Sequence, residues 1–569
     1  MVLDAGHSVE VDRPLAARGI PGDVLLVSRP DGIHIDDVFI RTDTRSKRIS
    51  VDVEIAGVEK SGPVQLRFRI LDSAGRCVKE FSGERSLNRG DLQSVTLADH
   101  WEDPILWDVG RPCLYTLESV LSTDGVTRDV FQERFGFRDI RIEGRDFLLN
   151  GKKIRFRPTL PFHEAAAGGF RSAIAAQIDG FLASHFNLAE LWPNDHYERG
   201  RIIARKAWAD IADEKGFLLM YPAHTATAYV KQWKSPAVKE RWRRELVRQW
   251  KEIRNNPSVI LLAATPNRYA HIDDQNPRRI GNRQALAGDA AWQRFTAPAR
   301  EQLQVIRAMD PTRPVAMHSG ANLGDFQACN FYLNLLPLQE REEWFRFWRK
   351  SGDMPFMAVE FGTPFSYNFF RGRNGAFGAP SSEPLLTEFC AASLGAKAYE
   401  LERPQYRRMI RSFFVEKQQY RWMQSHPEIV YAPAALELQS LFIRNTFRSF
   451  RSWGVSGGMI PWEWGAGWQM KGGRRLLPAF RPGDRGWFQR EADRFIFGLK
   501  DGAEITQPGR ELQAVNAPLL MYIAGEIHSF TEKGHHYYGG EKLCKSIALC
   551  NDERSKQEYR LSFAIVVNG

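Results

Sequence analysis

A β-sandwich, a (β/α)8 TIM barrel and a second, small β-sandwich, in that order, make up the multidomain fold class that this sequence predicts. Three observations carry the prediction. Residues 36–138 alternate apolar and polar with period two, residues 144–500 alternate short apolar strands with helical stretches, and the text past residue 502 returns to strands parted by turn residues. The corresponding division is a leader at 1–22, a sandwich at 23–140, a barrel at 141–503 and a closing sandwich at 504–569.

In the first sandwich Ile49, Val51, Val53 and Ile55 alternate with Ser50, Asp52 and Glu54, and Val64, Leu66, Phe68 and Ile70 alternate with Gln65, Arg67 and Arg69. Such strands bury one face against a second sheet. The barrel text supplies eight candidate strands, at 154–157, 186–192, 217–221, 258–265, 314–318, 328–332, 355–361 and 455–462. The helix expected at 202–215 stops at Gly216 and turns directly into the third strand, as a helix-to-strand connection should. Past 502, residues 514–523, 543–550 and 559–567 read as the strands of the closing sandwich.

The seventh barrel strand holds the residue that points to chemistry. Phe356 to Phe361 is apolar on both faces, as strands of a parallel barrel are, except for one carboxylate, Glu360, at its carboxyl end. Reactive groups of such barrels sit at that end of the strands. A salt-bridged or hydrogen-bonded core glutamate is the plainer alternative, because a buried unpaired carboxylate is costly.

Composition bounds the rest. Six cysteines are scattered without metal-ligand or disulfide spacing, so they read as ordinary thiols, and no phosphate loop or metalloprotease motif calls for a cofactor or metal. The net charge of +10 would suit an anionic partner. Yet acids interleave the bases almost everywhere; even the densest basic run, 231–254, carries Val238, Trp242, Leu246, Trp250 and Ile253 at helical spacing, and reads as an amphipathic helix with a solvated back. Nucleic acid is therefore not an expected partner. No apolar run reaches the roughly 18–20 residues that cross a bilayer, and the start has no signal-peptide pattern, so the chain reads as soluble, with its compartment and oligomeric state open.

Several strings, in this order, resemble glycoside hydrolase family 2, the group of β-galactosidases, β-glucuronidases and β-mannosidases. They are Leu106-Trp107, the Pro112 to Tyr115 string, Phe135-Gly136-Phe137-Arg138, Phe147 to Gly151, Asn256-Pro257-Ser258-Val259-Ile260 and the Glu360 strand. The resemblance implies an immunoglobulin-like first sandwich, carbohydrate as the partner, and a retaining exo-β-glycosidase needing no cofactor. The family's opening jelly roll has no counterpart here, and the abrupt ends suggest a fragment of a longer protein. In the retaining mechanism one carboxylate attacks the anomeric carbon while a second, about 5 Å away, passes the proton. The resemblance makes Glu360 the nucleophile.

At the proton-passing position the sequence departs from the pattern. The family ends its fourth strand in Asn-Glu, whereas an ungapped match here gives Pro266 and Asn267, and an amide carries no useful proton. The expected substitutes are Asp274 and Asp273, in the loop after that strand, unless they cap the next helix or face water. Glu190, where the family tends to carry arginine, and Glu463 are further candidates, each equally suited to a pairing or hydroxyl-binding role. His163, Trp192, Asn194, Asp195, His224, His318, Asn330, Tyr332 and Trp462 lie at or just past the strand ends and, with Glu190, Asn267 and Glu463, form an expected sugar-binding ring of polar groups and flat faces. Arg371 and Arg373, in the loop after the seventh strand, would suit an acidic sugar or be solvated surface charges. The missing acid also leaves open a non-catalytic carbohydrate-binding or scaffold protein on the same fold.

Overall fold

The computed structural model describes residues 28–160, 170–191, 205–222, 233–264, 267–333, 336–362, 391, 393–402, 433–462, 468–470, 503–533, 536–562, 564 and 566. The period-two text forms β1 (His34–Asp43), β2 (Arg48–Val58), β3 (Gly62–Leu71), β4 (Cys77–Leu87), β5 (Gly90–His100), β6 (Tyr115–Thr123) and β7 (Val126–Phe135), all antiparallel. They make two sheets, ordered β1-β2-β5 and β4-β3-β6-β7. Val51, Val53 and Ile55 of one sheet meet Leu66, Phe68 and Ile70 of the other in a single buried cluster, so the alternation does select the core face. Trp101 closes that core, with its ring 5.0 Å from Tyr115 and 5.5 Å from Phe137.

A small antiparallel sheet follows, built from β8 (Ile140–Glu143), β9 (Asp146–Leu149) and β10 (Lys152–Ile154). Eight parallel strands come next: β11 (Pro158–Thr159), β12 (Leu188–Glu190), β13 (Leu218–Pro222), β14 (Val259–Ala264), β15 (Val315–Met317), β16 (Gln327–Phe331), β17 (Phe356–Gly362) and β18 (Met459–Trp462). β11 to β15 form one hydrogen-bonded sheet and β16 to β18 another. β15 lies against β16 and β18 against β11, so the strands run in cyclic order. The predicted first strand, 154–157, is displaced: residue 154 ends the β8–β10 sheet and the ring begins at Pro158. Ile154 and Phe156 flank Arg155 and are buried in one cluster where the small sheet meets the ring, and periodicity alone does not separate the two layers.

Strands β12 to β18 bury their two faces against different clusters. Leu188, Leu218, Met220, Ile260, Ala316, Ala328, Met357 and Val359 fill the inside together with Phe147 and Phe156. Leu219, Leu262, Cys329, Phe331, Phe356 and Phe361 face outward to the helices. These helices are α1 (Phe170–Ala183), α2 (Arg205–Lys215), α3 (Pro236–Lys251), α4 (Ala290–Phe295), α5 (Ala297–Met309), α6 (Leu338–Glu342), α7 (Arg346–Ser351) and α8 (Pro433–Trp453). α3 is the basic amphipathic helix expected, with Trp242, Leu246 and Trp250 buried. The connection from β15 to β16 holds no helix, only a turn in which Ser319 and Ala321 take positive φ.

The sandwich is locked to the foot of the ring by buried polar contacts. Arg138 donates from Nε to the Pro257 carbonyl (3.0 Å) and from Nη2 to that of Val259 (2.8 Å), and the Asn255 side chain pairs with the backbone of Val38 and Ile40.

The closing segment departs from expectation. β19 (Trp468–Met470) pairs with β20 (Ala503–Ile505); then residues expected to begin a strand belong to helix α9 (Gln507–Asn516), followed by a single ribbon of β21 (Leu519–Ala524) and β22 (Ser546–Asn551). Pro508, Leu512 and Val515 recur at helical spacing and bury one stripe, which the short apolar run disguised. Residues 552–562, where a last strand was expected to start, hold no strand. Among the described residues, no helix is long and apolar enough to cross a membrane.

Candidate active site

Glu360 sits at the carboxyl end of β17, almost wholly buried. A register shift in the β16–β17 pairing leaves Val359 extra and sets Glu360 beside Asn330 instead of continuing the outward turn of Ala358. Asn330 shares the inner face of β16 with Ala328, so the carboxylate meets the inner side of the strand layer at its upper rim.

Among the described residues, Tyr332 and Asn267 grip this carboxylate. The Tyr332 hydroxyl, one residue past β16, donates to Oε2, and Asn267 donates from Nδ2 to Oε1 at 3.4 Å. Asn330 in turn donates to Asn267 Oδ1 at 3.0 Å. Asn267 holds φ at 53°, in the left-handed region that asparagine tolerates better than most residues. Gln275 supports the group from behind: its Oε1 accepts from the Tyr332 backbone (2.7 Å), and its carbonyl accepts from the Trp344 indole (2.8 Å). Sequence reasoning missed Gln275, since its work is done through backbone contacts that no spacing announces.

Glu190 ends β12, and His318 follows β15. Both are buried, with Oε1 and Nδ1 2.7 Å apart. Burial is the largest influence on the imidazole and pushes its pKa down; the charge and hydrogen bond of Glu190, together with the charge of Glu360, more than offset this and raise it above its ordinary value. Glu190 Oε2 is buried without a hydrogen-bond partner among the described residues.

The two aspartates expected to carry the proton stand elsewhere. Asp273 is ion-paired to Arg279 at 2.5 Å. Asp274 is buried, its Oδ2 accepting from the His271 backbone at 2.8 Å. Its carbonyl takes the Gln327 amide at 3.0 Å and lies 3.8 Å from Cys329 Sγ, and Cys329 faces the outer helical layer. The Asp274 backbone therefore packs on the face of β16 opposite the one that Asn330 and Ala328 share, and the contacts seen for the two aspartates among the described residues go to Arg279, His271, Gln327 and Cys329. They are close to the fourth strand in sequence, but the loop folds outward because Gln327 and Gln275 fasten it to β16. Burial, mainly, pushes the Asp274 carboxyl up to about 7.

Of the expected ring, then, Glu360, Tyr332, Asn267 and Asn330 meet in one hydrogen-bonded group, and Glu190 pairs with His318 within electrostatic reach of it. His163, Trp192, Asn194, Asp195, His224 and Glu463 lie outside the described residues, as do Arg371 and Arg373. Trp462 ends β18, and its side chain is also outside them.

A family model described as "Glycosyl hydrolases family 2" matches residues 33–138, the first sandwich. Among curated proteins, a β-galactosidase of Thermoanaerobacterium thermosulfurigenes is 27% identical over 40% of this chain and 32% of its own length. A β-glucuronidase of Paenibacillus borealis is 24% identical over 34% of this chain and 29% of its own. The matches thus span about a third of these relatives. A solved β-glucuronidase from Ruminococcus gnavus, in complex with D-glucuronic acid, aligns over 76% of this chain and 61% of its own, with 17% identity and a TM-score of 0.49.

Proposed function

We propose that this chain, a member of glycosyl hydrolase family 2, is a retaining exo-β-glycosidase in which Glu360 attacks the anomeric carbon. The observation that carries the reading is the Glu360 carboxylate at the upper rim of β17, accepting hydrogen bonds from Tyr332 and Asn267. Donors on both oxygens fix the direction of the attacking lone pair, which is what a displacement at a single carbon requires. The strands read as a (β/α)8 barrel and residues 33–138 as an immunoglobulin-like domain, with the first boundary near residue 140. Residues past 504 are read as packing onto the barrel through α8 and α9.

The proton-donating half of the site is read differently from the sequence expectation. Asn267 occupies the place where the resemblance expects the acid, and Asp273 and Asp274 are engaged on the outer side. The reaction should then favour glycosides whose leaving groups are acidic enough to depart unprotonated, such as aryl glycosides. The β-glucuronidases among the relatives and the pair Arg371 and Arg373 lean the reading towards acidic sugars.

The test is an aryl β-glycoside panel that includes glucuronides and galactosides. Glu360→Ala should lower turnover of the best substrate by a thousandfold or more, on the order of 4 kcal/mol of transition-state stabilisation. A 2-deoxy-2-fluoro analogue should label the peptide that contains Glu360. Undiminished turnover by the variant would remove Glu360 from the mechanism. A second reading, carbohydrate binding without catalysis, is favoured by the amide at position 267, and would replace the first if the wild-type chain binds oligosaccharides but releases no aglycone.

A further inference from the structure

Where the sandwich meets the foot of the ring, an open cavity of about 290 Å³ lies between β1, β7 and β8 on one side and the turns that lead into β14 and β15 on the other. It sits at the amino ends of those ring strands, whereas Glu360 sits at a carboxyl end, so it is no part of the candidate active site. Six arginines line it against two aspartates. Five of the six are matched by a carboxylate: Arg41 by Asp52, Arg45 by Glu143, Arg141 by Asp139, Arg254 by Asp37 and Arg313 by Asp310. Asp43, the other aspartate, accepts from the Arg45 and Ser46 backbones in its own turn.

Arg138 is the exception. It is buried, and its Nε and Nη2 donate to the neutral carbonyls of Pro257 and Val259. Among the described residues no carboxylate comes within ion-pairing distance of it, and Nη1, which has no acceptor there, is the end of the group left to the cavity. Burial first, and then the charge of Arg313, lowers its pKa to about 9, so the guanidinium stays cationic at neutral pH but at a cost. Guanidinium N–H groups form short, charge-assisted bonds to phosphate and sulfate oxygens, and the space in front of Arg138 is far larger than one water needs.

We propose that this cavity binds one small oxyanion of the phosphate or sulfate class, held by Arg138 and the arginines around it. The anion supplies the counter-charge that Arg138 lacks and touches both the sandwich and the ring, so its binding opposes their separation. The site is independent of the glycosidase reading.

Calorimetric titration of the whole chain with inorganic phosphate, in chloride at fixed ionic strength, tests it without turnover. Phosphate should saturate at one per chain with a Kd of about 1 mM or below, and sulfate should compete. Arg138→Gln should weaken phosphate by about tenfold or more, and Arg41→Gln, which leaves the Arg138 bonds to the ring in place, by about threefold or more. Arg76→Gln, at an 80% exposed position of the same sandwich away from the cavity, should leave the affinity unchanged. No saturation by about 20 mM phosphate, or an unchanged affinity in Arg138→Gln, would overturn the proposal. So would equal weakening in Arg41→Gln and Arg76→Gln, which is the mark of general attraction to a chain of charge +10. If circular dichroism shows that Arg138→Gln does not fold, the comparison of Arg41→Gln with Arg76→Gln decides alone.

Discussion

Tyr332 shows how much a single hydroxyl is asked to do at the residue scale. It donates to Glu360 Oε2 while its own backbone is held by Gln275. A hydrogen bond to a charged acceptor is worth about 1.5–3 kcal/mol, so Tyr332→Phe should lower kcat by roughly 10- to 100-fold with the fold intact, measured on an activated aryl glycoside. Asp274 makes the opposite prediction. An acid raised to about 7 holds a proton in the folded protein that the unfolded chain gives up near its ordinary value. The resulting stabilisation is complete below that ordinary value and is lost as pH rises through about 7. Asp274→Asn escapes this loss. Its melting temperature should exceed that of the wild type at pH 8, by the equivalent of about 1–3 kcal/mol, and the two should converge near pH 4. Because Asp274 packs away from Glu360, the variant should hydrolyse substrates with good and poor leaving groups as the wild type does. A selective collapse on poor leaving groups would restore Asp274 as the proton carrier.

At the scale of elements, closing the ring depends on how near β18 can come to β11. Phe156 donates its backbone N–H to the Ser456 carbonyl at 2.9 Å, and Gly458, directly before β18, holds φ at 72°. A Cβ at that glycine would lie 2.3 Å from the Phe156 carbonyl oxygen and 2.6 Å from Pro158 Cδ. Both the left-handed backbone and the lack of space forbid a side chain, so Gly458→Ala should destabilise the protein by about 2 kcal/mol or more, read from denaturant unfolding. The strand-ending Glu360 needs this closure, since β18 pairs with β17. The loop after β14 illustrates a different rule. Its aspartates lie close to the fourth strand in sequence, yet its direction is set by Gln275 and Gln327, which bind it to β16. Chain proximity to a strand end does not determine on which face of the layer a loop settles.

For the whole molecule, the closing segment is fastened to the ring by charge as well as by apolar packing. The side chain of Asp552, just past β22, is buried and lies 3.0 Å from Arg155, 3.8 Å from Arg157 and 2.7 Å from Arg451. The three arginines come from the start of the ring and from α8. Asp552→Ala would leave them crowded without their common anion, and breaking a buried pair from one side costs about 3–5 kcal/mol. Reduced thermal stability and faster proteolysis within residues 519–551 should follow, with activity at low temperature largely kept. The ribbon itself covers only one face. Leu520, Tyr522 and Cys550 are buried, whereas Ile523 is 73% exposed and Leu549 60%.

By itself the sequence determined which residues face a core and where one acid interrupts it. Period-two text became the two sheets of the sandwich, and apolar strands with helical intervals became the cyclic parallel layer, because burial of alternate or of both faces is written directly in hydropathy. Glu360, Tyr332, Asn267 and Asn330 were legible for the same reason, since each falls at a strand end. Tertiary structure alone decided what those residues touch. The register shift that turns Glu360 towards Asn330, the pairing of Glu190 with His318 across the ring, and the outward course of Asp273 and Asp274 all depend on contacts between segments dozens to hundreds of residues apart. Hydrogen bonds and charge act over ångströms in space, and a linear pattern records hydropathy far better than it records which distant partner comes within that reach.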